Sequence, residues 1–262
     1  MTFPSSIREI NNLPEEEKKS IYLTLLPDWI YQDYEIDPIS HLRHGKPAIF
    51  FHFQPNSRAF GLTVKKDPAD RDPILYLNMC DTLNRQLLVL LVVVNDMDGP
   101  RFNTDIDPQG NPTHFGTTAR NIYAERDAMK AGLAPGQIRP GLRVFKQSVP
   151  IFERFVSSMG HDLFLIEPLA YHNAIVFERY GFNYVRGRSD MEAIDRGFHP
   201  GGELHNKLTP DNEFRLPEAW KSIRGRSWAI HDGILGHPYT GFQMYKRIGI
   251  HANICTYCDA DW

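Results

Sequence analysis

Arg139-Pro140-Gly141-Leu142-Arg143-Val144-Phe145 opens the stretch, running to Phe182, whose reading decides the fold. Leu142, Phe145, Val149, Phe152, Val156 and Met159 recur at alternating steps of three and four, which lays them along one helix face. Gly160 ends that helix, since glycine takes the left-handed closing conformation without a side-chain clash. Asp162-Leu163-Phe164-Leu165-Ile166-Glu167-Pro168 is a short apolar run closed by a residue that has no N–H for a sheet, and reads as a buried strand. A shorter helix follows from Tyr171 to Tyr180, and Gly181-Phe182 turns the chain into Asn183-Tyr184-Val185.

Upstream of this stretch the period changes to strands. Ala48–Phe53, Ala59–Val64, Ile74–Met79 and Gln86–Val94 are separated by turn residues such as Pro55-Asn56-Ser57 and by the charged segment 65–72, which predicts an antiparallel meander of four strands. The last, with Leu87 to Val94 apolar throughout, belongs in the middle of a covered sheet. Residues 95–118, rich in Asp, Asn, Gly and Pro and including His114 and Phe115, form a long loop of the kind that is functional or disordered. Thr118 is placed to cap a helix from Ala119 to Ala131, with Ile122, Arg126 and Met129 along one stripe and Gly132 as terminator.

The ends are less regular. Residues 1–12 read as a loosely held arm. Asn12 caps a helix in which Pro14 occupies the first turn and Glu15-Glu16-Glu17 precede Lys18-Lys19, an order that suits the helix dipole. Ile21, Tyr22, Leu25 and Leu26 give this helix an inward face, and Pro27 ends it. Residues 29–47 are irregular, with one short helix. After Val185 the chain is polar to 217, with one helix at Met191–Arg196. Glu218–Ile223 is a helical turn, and the final strand falls at Trp228-Ala229-Ile230 or at Gln243–Ile248.

Composition narrows the class. The chain has 262 residues, of which 42% are hydrophobic, enough for one large core or a core with a small lobe. Its formal charge of -3, from 29 basic and 32 acidic residues, gives no electrostatic reason to expect nucleic acid or a membrane surface, both of which favour a strongly basic face. The run 87–94 is far shorter than the roughly 20 residues a membrane helix needs. Met1-Thr2-Phe3-Pro4 lacks the pattern of a secretory signal, and three cysteines make no disulfide framework. The expected compartment is the cytoplasm.

Asn173-Ala174-Ile175-Val176-Phe177-Glu178-Arg179-Tyr180-Gly181-Phe182 resembles the closing motif of the GCN5-related N-acetyltransferases. Arg139-Pro140-Gly141-Leu142-Arg143 resembles a degraded version of their acyl-CoA pyrophosphate loop, and the likeness covers roughly residues 85–186. It implies an α/β fold of the α+β kind: a mixed, mainly antiparallel sheet splayed between the strands at 87–94 and 162–167, with helices on both faces. Residues 1–186 would form that domain, and 187–262 a C-terminal extension packed on it. The implied co-substrate is acetyl-CoA or another acyl-CoA, and the implied reaction is acyl transfer to a small-molecule acceptor, an amine first among them. No nucleic acid or membrane partner is expected, and a homodimer is left open.

The candidate site residues follow from that chemistry. A pyrophosphate is held by backbone N–H groups at a helix N-terminus, where the dipole also favours negative charge. In the family's loop a glutamine or arginine is followed by two residues, a glycine, one residue, then glycine or alanine. Here Gly141 takes the first glycine, while Ile138 stands at the basic position and Arg143 at the second small one. Gln137, Arg139 and Arg143 are then the side chains for phosphate, unless Pro140-Gly141 simply starts a helix. Asn173 is either a ligand to the pantetheine arm or a helix cap. The family's thiolate-protonating tyrosine corresponds to Phe177, which has no proton to give. Tyr171, His172 and Tyr180 on the same helix are the candidates to replace it, against a packing role for each. Glu167 and Asp96, at strand ends, are candidate general bases or plain strand terminators.

Other constellations compete. Cys255-Thr256-Tyr257-Cys258 with His251 suits a zinc site only if Cys80, His237 or His231 supplies a fourth ligand; otherwise it reads as a redox pair or a plain tail. The eleven histidines are dispersed, and no pair has helical spacing around an acid. Four of them, His114, His172, His199 and His205, lie near the segments expected to line the cleft. A ligand-binding or sensor protein on the same fold, or an acyl-CoA enzyme that decarboxylates or hydrolyses, are the alternatives to acyl transfer.

Overall fold

The computed structural model describes residues 3–114, 116, 118–258 and 261–262. Met1 and Thr2 of the arm, and Phe115 and Thr117 of the 95–118 loop, lie outside the described residues. In chain order the elements are α1 (Ile7–Asn11), α2 (Glu15–Leu23), α3 (Asp28–Asp33), β1 (Leu42–Arg43), β2 (Lys46–Pro47), β3 (Ile49–His52), β4 (Ala59–Val64), β5 (Leu75–Asp81) and β6 (Leu87–Val94). They continue with α4 (Ile122–Lys130), α5 (Phe145–Ser158), β7 (Leu163–Ile166), α6 (Tyr171–Arg179), β8 (Asn183–Arg186), α7 (Arg188–Phe198), α8 (Ile223–His231) and β9 (Gln243–Arg247). This is a mixed α/β chain whose main sheet has seven strands and is mainly antiparallel. No helix among the described residues is long and apolar enough to cross a membrane.

The chain divides into two compact units. The first comprises Met1–Asp98, Gly141–Glu167 and Tyr245–His251, and the second Gly99–Pro140, Pro168–Met244 and Ala252–Trp262.

In the first unit the four expected strands form the meander β3-β4-β5-β6, each pair antiparallel, and β6 then pairs with β7 in parallel. Alternation sorts β5 cleanly: Leu75, Leu77, Met79 and Asp81 are buried, while Tyr76, Asn78 and Cys80 lie half-buried on the other face. Phe60, Leu62 and Val64 of β4 and Leu87 and Val89 of β6 complete the buried face. Helices α2 and α5 cover it through aromatic contacts: Tyr22 stacks on Phe60 with ring centroids 3.5 Å apart and lies 6.4 Å from Phe155. Both Tyr22 and Phe60 are fully buried, and each contributes about 2 kcal/mol by leaving water.

Residues 7–11 are a helix rather than a loose arm. Ile7 and Ile10 are wholly buried, and Asp81, 74 residues on, accepts from the N–H groups of Ile7 (2.8 Å) and Arg8 (2.9 Å). The 29–47 segment contains α3 and the two-stranded hairpin β1-β2. Helix α5 begins at Phe145, three residues later than its apolar period predicts, because Arg143 takes a left-handed φ of 55° and keeps the 141–144 backbone out of the helix.

In the second unit α6, α7 and α8 bury Tyr171, Ala174, Ile175, Met191, Ile194, Phe198, Ile223, Trp228, Ala229 and Ile230. Trp228-Ala229-Ile230 therefore lies in helix α8, and the final strand is β9. Helix α8 runs closely against the turn before it: a Cβ on Gly225 would stand 2.5 Å from the carbonyl oxygen of Ala219, so only glycine fits. Helix α4 starts one turn later than expected, with Asn121 as the cap accepting from Ala124 N–H. Its inward residues are Glu125 and Ala128, while Ile122 is exposed. The expected stripe is wrong because a buried carboxylate holds the inner face.

Candidate functional site

In the first unit the ladder between β6 and β7 holds only two pairs, Leu88↔Leu165 and Val89↔Ile166. Strand β7 stops there, since Glu167 is followed by Pro168, while Leu90–Val94 of β6 run on beyond the ladder. The β5–β6 register shifts at Asn78/Met79, so that Leu90 faces no residue of β5, a bulge at the point where the two strands part. The far half of β6 is half-exposed, with Val92 38% exposed despite being apolar.

Next to this half-strand lies one face of the meander. The register lines up Phe50 and His52 of β3, Gly61 and Thr63 of β4, Tyr76 and Asn78 of β5, and Leu91 and Val93 of β6. His52 Nε2 is 2.9 Å from Thr63 Oγ1, and its ring lies close over Gly61, where a Cβ would meet the imidazole at 3.4 Å. Asn78 Nδ2 donates to Tyr76 Oη at 3.0 Å. The amide oxygen of Asn78 is shut from solvent without a hydrogen-bond partner among the described residues. These residues were not among the sequence candidates, yet the alternation of Leu75, Leu77 and Met79 already places Tyr76 and Asn78 together on the opposite face.

The strand-end acids belong to this unit. Glu167 is half-buried after β7, and Asp96 follows β6 and accepts from Asp98 N–H at 3.0 Å. Burial, with the charges of Asp96, Asp98 and Asp33, pushes the Tyr34 hydroxyl up to about 12. Burial, with the charges of Asp81 and Glu167, pushes the Cys80 thiol up as well. Gly141 and the exposed Arg143 precede α5, whose first turn has no side-chain cap.

The remaining candidates lie in the second unit. Gln137 and Arg139 are engaged in its loops: Gln137 Oε1 accepts from Ala134 N–H at 2.7 Å, and Arg139 Nη1 donates to Gly99 O at 2.7 Å. Tyr171 and His172 are interior residues, 1% and 5% exposed, at the start of α6. Burial raises the Tyr171 hydroxyl far above its usual range, while burial and the charge of His231 bring His172 down to about 4. His172 Nδ1 is 2.9 Å from Ser227 Oγ, and Trp262 meets the imidazole edge-on. Asn173 is half-buried in the first turn of α6 and does not cap it; the cap position is Ala170. Tyr180 is half-buried just past the helix end, and Phe177 packs on Phe182 with centroids 5.2 Å apart.

Two polar clusters in the second unit carry no local sequence signal. Arg120 bridges Glu125 and Asp232, Glu125 also meets His231 at 3.2 Å, and Asp232 accepts from Asn212 and Arg215. Burial pushes both carboxyls up, but the hydrogen bonds of His231 and Arg120 on Glu125, and of Arg120 and Asn212 on Asp232, hold them below the usual range. In the other cluster the wholly buried Arg226 pairs with Asp195 at 2.6 Å and donates to Trp220 O. Among the described residues no group of three or more His, Cys, Asp or Glu side chains is arranged to hold a metal ion. The sequence matches no family model, and comparisons with curated proteins and with solved structures give no significant match.

Proposed function

We propose that the first unit binds an acyl-CoA thioester where β6 and β7 part, and that the protein transfers the acyl group to a small amine. The observation that carries this reading is the two-pair ladder. Beyond Val89 and Ile166 the strand β6 continues without β7, and an extended amide-bearing arm such as pantetheine can pair with a strand edge of that kind. A mixed, mainly antiparallel sheet that opens between the strands at 87–94 and 162–167 is also what the resemblance to the N-acetyltransferases implies. The phosphates would meet Gly141, Arg143 and the uncapped first turn of α5, since Gln137 and Arg139 are engaged elsewhere.

With phenylalanine at 177, the proton for the departing thiolate needs another source. Tyr76 is the phenol on the sheet face beside the free half of β6, opposite Val93, and its oxygen already accepts from Asn78, which leaves its own proton free to be donated. Calorimetry with acetyl-CoA tests the binding: micromolar affinity is expected, and neither heat nor a thermal shift at millimolar ligand would sink it. Tyr76→Phe should leave that affinity unchanged while lowering the rate of transfer to an amine by about 10²-fold, the scale of general acid catalysis. An unchanged rate removes Tyr76 from the role without touching the binding site.

A further inference from the structure

Cys255 and Cys258 are joined as a disulfide across two residues, with Cα atoms 5.3 Å apart, and both are exposed. The residues between them point the other way. Thr256 is buried, and Glu178 accepts from its N–H at 2.8 Å and from its hydroxyl at 2.7 Å. Glu178 is itself buried and also accepts from the Tyr184 hydroxyl at 2.5 Å. Tyr257 lies over the Arg226 guanidinium, 3.5 Å from its ring centroid, and donates to Trp220 O at 3.0 Å. The turn is thus fastened at its two inner residues, on separate anchors, without reference to the sulfurs.

A cross-link stabilises mainly by restricting the unfolded chain, and its effect grows with the loop it closes. Cysteines three positions apart close almost the shortest loop available, so the bond adds little to a turn that Glu178 and Arg226 already hold. What the arrangement does supply is accessibility, because both cysteines are exposed on a turn whose inner residues are held by Glu178 and Arg226. Exposed disulfides of this kind are the ones that undergo exchange. The third cysteine, Cys80, is half-buried, and burial raises its thiol, which makes it the poorer nucleophile.

We propose that Cys255 and Cys258 form a reversible thiol–disulfide exchange site whose co-reactant is a dithiol. One thiolate of the dithiol attacks either cysteine sulfur; the Cys255–Cys258 bond breaks as a mixed disulfide forms, and the released cysteine sulfur takes a proton. The second thiolate of the co-reactant then displaces the mixed disulfide. The pair ends as two thiols and the co-reactant as a disulfide, with two electrons and two protons transferred; a disulfide oxidant drives the reverse. This site is independent of the acyl-CoA reading.

The test uses the full chain in a Cys80→Ser background, treated with dithiothreitol or with reduced thioredoxin and then labelled with a maleimide under native conditions. Neither sulfur should label before treatment and both should label after it, with oxidised glutathione restoring the unlabelled state. Reduction by thioredoxin would identify a protein dithiol as the source, and reduction by dithiothreitol alone a small one. The melting temperatures of the two forms should agree within ~2 °C, and the Cys255→Ser/Cys258→Ser double variant should match them. A pair that resists both reductants in the folded protein, or stays reduced in excess oxidised glutathione, would overturn the proposal. So would a fall of more than ~5 °C on reduction, which marks a structural clamp.

Discussion

His172 is a buried histidine in which folding works against protonation. Burial and the charge of His231 bring it from 6.5 to about 4, so the unfolded chain binds a proton that the folded one refuses between those two values. The sign follows: the contribution to stability is full above the unfolded value and is lost as pH falls from there toward the folded one. The loss should be about 2 kcal/mol between pH 7 and pH 5. Glu125 and Asp232 do not obscure this window, because carboxyls held low in the folded state keep their contribution until the pH drops below the ordinary carboxylate range. Urea denaturation at the two pH values measures the slope, and His172→Asn, which retains a polar atom for Ser227, should flatten it. A slope that survives this substitution assigns the effect to another group. The same placement bears on the site, since a side chain needed to keep the interior neutral and hydrogen-bonded to Ser227 is a poor candidate for proton transfer to a substrate.

Short elements depend on distant partners, and α1 is the clearest instance. Five residues cannot form a stable helix alone, and this one is held by Asp81, whose two oxygens each accept from one first-turn N–H. Asp81→Ala should cost about 1–3 kcal/mol by removing charge-assisted bonds from buried donors, and Asp81→Asn less, because one acceptor remains. Denaturant titration gives the magnitude, and faster proteolysis within residues 3–12 would localise it; a cost below about 0.5 kcal/mol would show that packing of Ile7 and Ile10 suffices. The helix does carry a local cap, Ser6 Oγ accepting from Glu9 N–H at 3.2 Å, but its five residues are too few to show a period, and the carboxylate that meets its first two N–H groups lies 74 residues away. The strands β3 to β6 were legible because each carries its own alternation or apolar run between turn residues. Helix α8 was not, because Ile223, Arg226, Ser227, Trp228, Ala229 and Ile230 are all buried, and a helix covered on every side has no polar stripe to mark its period. Of the residues proposed for the site, Glu167 follows from its place at a strand end, whereas Gly141 and Arg143 follow only from the family resemblance. The fastening of Thr256 on Glu178 follows from neither, since it joins positions 78 apart.

At the scale of the whole chain, the sequence suggested a boundary near 186, with everything after it an extension. The first compact unit draws on three separate segments, the last being Tyr245–His251. That segment is woven into it. Lys246 is buried, with its Nζ 3.1 Å from Glu153 and 2.6 Å from Ile250 O, and Ile248 N–H donates to Asp162 O at 2.9 Å. Glu153 lies on α5 and Asp162 leads into β7, so both elements that flank the proposed acyl-CoA slot are tied to the chain's last strand. A polypeptide ending at 186 keeps every residue of the family resemblance but leaves the half-buried Glu153 carboxylate without its buried lysine, at a cost of about 3–5 kcal/mol for a broken ion pair of this kind. The loss of β9 from the sheet adds to that, against a total stability of only about 5–15 kcal/mol. Residues 1–186 expressed alone should therefore lack a cooperative thermal transition by circular dichroism. In the full-length chain, Lys246→Met, which keeps the apolar stem and removes the ammonium, should lower stability by about 2–4 kcal/mol. A fragment 1–186 that melts cooperatively would show that the first unit forms without its third segment, and would set the boundary near 186.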